Sequence, residues 1–117
     1  MHYEPGTHIV ASLRVTDTET LVTVGQFREL IDTLIQNHHL QKLGEVYHNF
    51  DPNGFTAVVC LSESHLSIHT WPEHQLVNLD IYLSNYRRNN DGTVKGLFEA
   101  VCNYFGGTII HQQTILR

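Results

Sequence analysis

The stretch Phe55-Thr56-Ala57-Val58-Val59-Cys60-Leu61-Ser62-Glu63-Ser64-His65-Leu66-Ser67-Ile68-His69-Thr70-Trp71-Pro72-Glu73 decides the fold. It opens on an apolar run, Ala57 to Leu61, long and β-branched enough for a strand inside a sheet. After a connection of hairpin length, polar and apolar side chains alternate. His65, Ser67 and His69 fall on one face of a second strand, Leu66 and Ile68 on the other. Strands joined this closely pair antiparallel. A strand that gives a whole face to imidazole and hydroxyl groups also marks candidate chemistry.

On the N-terminal side, Asp51-Pro52-Asn53-Gly54 is a turn: Pro sets φ early and Gly permits positive φ later. A strand from Gln41 to Phe50 leads into it. Before that, Phe27, Leu30, Ile31, Leu34 and Ile35 form one helical stripe, ending near Asn37-His38-His39. Ile9, Ala11, Leu13 and Val15 share one side of a first strand, His8 to Val15. On the C-terminal side, Val77, Leu79, Ile81 and Leu83 alternate with Asn78, Asp80, Tyr82 and Ser84 in a half-polar strand. Asn89-Asn90-Asp91-Gly92 reads as a loop. Leu97, Ala100, Val101 and Tyr104 mark a second helix, stopped by Gly106-Gly107, and Thr108 to Leu116 returns as a last strand. The order β-α-β-β-β-β-α-β predicts an α/β (α+β) two-layer sandwich, an antiparallel sheet with helices on one face. The other face, mixed aromatic and polar, is expected to be buried against a twin subunit in a homodimer.

A chain of 117 residues fits one domain, 1–117, and can bury roughly two-thirds of its unfolded surface. Net charge is −5 with only seven Lys and Arg, which gives no electrostatic case for nucleic acid or an anionic membrane. No apolar run reaches the ~18 residues of a membrane helix, and Met1 to Gly6 lack a signal pattern. Cys60 and Cys102 lie in apolar segments and read as reduced core residues of a cytoplasmic protein.

Any Xaa-Ser bond can undergo an N→O acyl shift, so Glu63-Ser64 alone carries no signal. A base and a hydrogen-bond donor are needed beside it, and His69 and Thr56 are candidates. Taken whole, however, Leu61 to Glu73 closely resembles the self-cleavage motif of the small prokaryotic S-adenosylmethionine decarboxylases. Gly6-Thr7-His8 resembles that family's opening Gly-x-His, and Phe50-Asp51-Pro52-Asn53-Gly54 its Phe-x-Pro-x-Gly turn. The resemblance implies a cut between Glu63 and Ser64, giving residues 1–63 and 64–117, with Ser64 becoming a covalent pyruvoyl group. The ketone of that group would form a Schiff base with the substrate amine and accept the electrons released with CO₂. It further implies His69 as the base of β-elimination and Thr56 as the hydroxyl aiding cleavage. Phe50 would stack on adenine, Glu73 would bind ribose, and His65 and Asp80 would line the substrate site. The product would be the aminopropyl donor of spermidine synthesis.

One position departs from the pattern. The family has a proton-donating cysteine twenty residues after its pyruvoyl serine; here that position is Ser84, a far weaker acid than a thiol. Tyr82, on the same strand face, a motif histidine or a water are substitutes. Asn85-Tyr86-Arg87-Arg88-Asn89 likewise replaces a short Cys-Gly turn. The departure keeps two alternatives open: the same chemistry on ornithine or arginine, or an uncleaved homologue with a regulatory or binding role.

Blander readings stand beside these. His65 and His69 lie ~13 Å apart on a strand, too far to share one metal ion, so no metal is expected. The remaining histidines read as surface residues; Arg87 and Arg88 could grip a substrate carboxylate but read more simply as solvated loop charges. Trp71, before Pro72, is expected to anchor a turn against the core. On composition alone Phe50 is a core residue.

Overall fold

The computed structural model describes residues 2–117. Among these, six strands and two α-helices follow the expected order: β1 (Thr7–Arg14), α1 (Gly25–Asn37), β2 (Lys42–Asn49), β3 (Phe55–Leu61), β4 (Ser64–Trp71), β5 (Leu76–Leu83), α2 (Asp91–Phe105) and β6 (Thr108–Leu116). Short 3-10 turns at Thr18–Leu21 and Pro72–His74 complete it. The strands form one antiparallel sheet in the order β2-β3-β4-β5-β1-β6.

Alternation builds the core. Phe55, Ala57, Val59 and Leu61 of β3, Leu66 and Ile68 of β4, and Val77, Leu79, Ile81 and Leu83 of β5 are all buried on one side. α1 contributes Phe27 and Ile31, and α2 contributes Val94, Leu97, Phe98, Val101 and Phe105. Phe27 joins the layers: its ring lies 5.7 Å from Phe105 and 5.6 Å from Phe55. Thr70 ties a connection to this core, donating to the Leu21 carbonyl (2.8 Å) and accepting from the Phe55 amide (2.8 Å). α2 starts at Asp91, so Gly92 lies in its first turn instead of the expected loop. Gly106, at φ +61°, ends it.

The opposite face is open, and register arranges it in rows running across the strands. One row reads Gly44, Cys60, His65, Tyr82, His8, Ile115. The next reads Val46, Val58, Ser67, Asp80, Val10, Gln113, and the third His48, Thr56, His69, Asn78, Ser12, His111. Three expectations fail here for one reason: an apolar side chain on this face has nothing above it. Cys60, on this face, is exposed and is not a core residue, whereas Cys102, on α2, is half-buried and packs against the core. Trp71 (46% exposed) does not anchor a turn in the core, and Phe50 (48%) is not a core residue. No helix among the described residues is long and apolar enough to cross a membrane.

Candidate active site

Ser64 pairs with Leu61, so β3 and β4 are joined by the two-residue turn Ser62–Glu63. Ser64 has φ +140°, a region L-residues avoid at a cost of about 1–3 kcal/mol. The turn is held from several sides. The Ser84 amide donates to the Glu63 carbonyl at 2.8 Å, and the Ser62 amide to the Gln41 carbonyl at 2.9 Å. The Glu63 carboxylate accepts from Arg88 Nε (3.1 Å) and Nη2 (3.0 Å) and from Asn90 Nδ2 (2.8 Å). Burial pushes the Glu63 carboxyl up, but these hydrogen bonds and the guanidinium charge outweigh it and leave it below the ordinary carboxylate range. A cavity of about 300 Å³ opens beside the turn, lined by Ser62, Glu63, Ser84 and Arg88 among others.

On the open face next to this turn, Asp80 gathers three donors. Its Oδ1 accepts from His65 Nε2 (2.8 Å) and His8 Nε2 (3.1 Å), and its Oδ2 accepts from the Ser67 hydroxyl. Burial raises the Asp80 carboxyl, yet the bonds from Ser67, His65 and His8 hold it below its usual value. Arg117 Nη1 lies 3.3 Å from His8 Nδ1. A guanidinium only donates, so His8 Nδ1 accepts and the ring proton sits on Nε2, facing Asp80. That tautomer bears on metal binding. The donor atoms of His8, His65 and Asp80 lie within 4.8 Å of one another, a grouping distinct from the His65–His69 pair. An ion on His8 Nε2 would require the proton to move to Nδ1, against the guanidinium. The donor set fits a hydrogen-bond network better than a metal site.

Tyr82 packs beside this network, its ring 5.2 Å from that of His8. Its hydroxyl donates to the Arg117 carbonyl at 3.1 Å, and its acidity is lowered by Tyr3 and by burial. Ser84 is closer to the turn, since its own amide binds the Glu63 carbonyl.

The remaining residues singled out by sequence lie elsewhere. Thr56 and His69 pair across β3 and β4, with Oγ1 2.5 Å from Nδ1. His69 is five positions along β4 from Ser64, about 16 Å at ~3.3 Å per residue. Phe50, edge-on to His48 at 4.8 Å, and the exposed Glu73 lie beyond it, at the opposite end of the strands. Two groups result. Glu63, Ser64, His65, Asp80, Tyr82 and Ser84 cluster at one end of the sheet. Phe50, Thr56, His69 and Glu73 run from the third row toward the other.

Sequence reading missed four participants. His8 is not a surface residue but 8% exposed. Arg88 is no free solvated charge: besides Glu63 it binds the carbonyls of His38 (3.1 Å) and His39 (3.2 Å). Asn90, placed in a loop, is fully buried, and Arg117 reaches His8 from the chain end. A Gly-x-His opening was the one available signal for His8.

Comparison with known proteins gives a consistent picture. Residues 7–117 match the family model described as S-adenosylmethionine decarboxylase. The S-adenosylmethionine decarboxylase proenzyme of Aquifex aeolicus (strain VF5) is 44% identical over 77 residues, 66% of this chain and 57% of that protein. The Archaeoglobus fulgidus proenzyme is 43% identical over 77 residues, 66% of this chain and 69% of that protein. The match thus spans little more than half of the Aquifex protein's length. The crystal structure of the Aquifex aeolicus VF5 adenosylmethionine decarboxylase superposes with a TM-score of 0.79 at 28% identity, covering 99% of this chain and 91% of that one.

Proposed function

Because the chain belongs to the S-adenosylmethionine decarboxylase family, we propose that it is the precursor of a pyruvoyl-dependent decarboxylase acting on S-adenosylmethionine, and that it cuts itself between Glu63 and Ser64. The observation that carries this reading is the state of that one peptide. Its carbonyl is polarised by the Ser84 amide at 2.8 Å, and its serine is held at positive φ. A donor already on the carbonyl stabilises the oxyanion that forms when a hydroxyl attacks it.

The bond changes follow. Ser64 Oγ bonds to the Glu63 carbonyl carbon, the C–N bond breaks, and the hydroxyl proton passes to the freed amine. A base then removes the Ser64 Cα proton and the ester oxygen leaves as the Glu63 α-carboxylate. The resulting enamine, tautomerised to an imine, is hydrolysed by one water with loss of ammonia, leaving residues 1–63 and a pyruvoyl-headed 64–117. When present, that group supplies an electron sink for the charge left by departing CO₂. Ser84 and Tyr82 are the candidate proton donors. Ser84 is the better placed, because the Tyr82 hydroxyl is engaged with Arg117.

Two chains are needed for such a site. Within one chain His69 is about 16 Å from Ser64 along a strand, far beyond the ~3 Å over which a base works. A two-fold axis running across the strands near Ser67 would turn the partner's β4 end for end and lay the partner's His69 over Ser64. The same operation brings the partner's Phe50 and the partner's Glu73 to that end. The open face, with Val46, Val58 and Trp71 exposed, supports such a homodimer.

Ser84 in place of a thiol favours one second reading, the same chemistry on ornithine or arginine with spermidine synthesis abandoned. Intact mass and a denaturing gel test the first step. Two pieces divided at Glu63/Ser64, the second with a blocked N-terminus, are expected; one full-length species would favour the uncleaved homologue. Release of CO₂ from S-adenosylmethionine, ornithine or arginine then separates the substrates.

A further inference from the structure

We propose that Arg88 and Asn90, on the segment between β5 and α2, are positioning residues for the cut: by gripping the Glu63 side chain they hold its carbonyl on the Ser84 amide. The inference rests on self-cleavage at Glu63–Ser64 and adds the residues that prepare the peptide.

Asn90 joins the two partners of that carbonyl contact. Its Nδ2 donates to Glu63 Oε1 at 2.8 Å and to the Ser84 carbonyl at 2.9 Å. Both partners are acceptors, so the amide orientation is fixed by chemistry. One NH₂ group thus sets Glu63 against Ser84, the residue whose N–H polarises the scissile carbonyl. Two features show that this side chain is not spent on ordinary structure. Asn90 is the N-cap residue of α2, a position where Asn usually accepts from the helix, yet it makes no cap bond. Its Oδ1 is buried without a partner. A residue serving α2 alone would turn that oxygen toward the first helical turn.

Arg88 supplies the second hold. Its guanidinium takes both Glu63 carboxylate oxygens and also the carbonyls of His38 and His39, which end α1. The turn is therefore pinned between the end of one helix and the start of the other. With its side chain 39% exposed, Arg88 gives little stability through the pair. Its consequence is geometric: a reacting carbonyl misplaced by about 1 Å can lose up to 100-fold in rate.

The test follows loss of the full-length chain by intact mass during cell-free synthesis. Arg88→Ala and Asn90→Ala should slow cutting about 10-fold or more, with circular dichroism unchanged, and Arg88→Lys should recover part of the loss. Asn90→Asp, equal in size but presenting a carboxylate to Glu63, should be slower than Asn90→Ala. Their stalled chains should resist hydroxylamine because the junction is still an amide, whereas His69→Ala should stall as a hydroxylamine-sensitive ester. In a Glu63→Ala background, Arg88→Ala should have no further effect, since its partner is gone. A general structural role would slow cutting in both backgrounds, and that result overturns the inference. So does a wild type that cuts while both alanine variants keep pace. A wild type that stays full length overturns self-cleavage and this inference together. If Asn90→Ala does not fold, the Arg88 variants at the surface decide.

Discussion

If Ser64 is processed by the partner's His69, two defective chains should repair each other. Ser64→Ala lacks the nucleophile but keeps His69; His69→Ala lacks the base but keeps Ser64. Alone, neither should mature. The separation sets the expectation: five residues of β4 put His69 about 16 Å from Ser64 in its own chain, and no rotamer closes that gap. In a mixed dimer, the Ser64→Ala chain lends its His69 to the His69→Ala chain, which then cuts at residue 63. With random 1:1 pairing about half of the His69→Ala chains lie in mixed dimers, so about half should be cut. The assay is co-expression with one chain tagged, followed by intact mass. Uncut His69→Ala chains in verified mixed dimers would refute the shared site. Cutting of His69→Ala by itself would show that another group, such as His65 beside Asp80, is the base.

Ser84→Cys should leave cutting near the wild-type rate, because the contact to Glu63 is made by the backbone amide, while turnover of S-adenosylmethionine rises; unchanged turnover together with wild-type consumption of ornithine or arginine would favour the second substrate reading. Thr70→Val should destabilise the fold by about 1–3 kcal/mol in urea melts, since it strands the Leu21 carbonyl and the Phe55 amide; a change under 0.5 kcal/mol would show that those groups find other partners. Asp80 and Glu63 ionise more readily than their reference values of 3.8 and 4.5, so the stability they add is fully present above those values and lost as pH falls through the lower folded ones. Thermal melts of the uncut Ser64→Ala chain should therefore decline on acidification below about pH 4, and less steeply in the double variant that adds Asp80→Asn; equal slopes would remove Asp80 from the account.

Period-2 alternation made β4 and β5 legible, because Leu66 and Ile68 are covered while His65, Ser67 and His69 are not. β3 lies inside the sheet, as its unbroken apolar run predicts, yet only alternate residues are covered, and Val58 and Cys60 face outward. An apolar run cannot say which layer is missing. Within the candidate site, the part that is local in the chain, Glu63, Ser64 and His65, was readable, whereas His69 and Glu73 of the same stretch fall toward the other end of the strands. The site was unreadable where register creates it: His8 reaches Asp80 across 72 positions, and Arg117 reaches His8 across 109. Nor does a polar segment such as Asn85 to Asn90 reveal that one amide will be swallowed whole. At Ser84 the sequence shows only the loss of a thiol, whereas the structure places the residue's amide on the Glu63 carbonyl.

The strand order carries a consequence for what a cut molecule is. Residues 1–63 own β2, β3 and β1; residues 64–117 own β4, β5 and β6. Along the sheet ownership therefore runs two, two, one, one, with β1 gripped between β5 and β6 of the other piece. Severed halves interlaced in this way cannot drift apart without dismantling the sheet. A chain that folded alone, in a first-order process, would after the cut refold only by collision of two fragments. Its recovery from denaturant should then depend on concentration, whereas that of the uncut Ser64→Ala chain, once monomer folding is followed, should not.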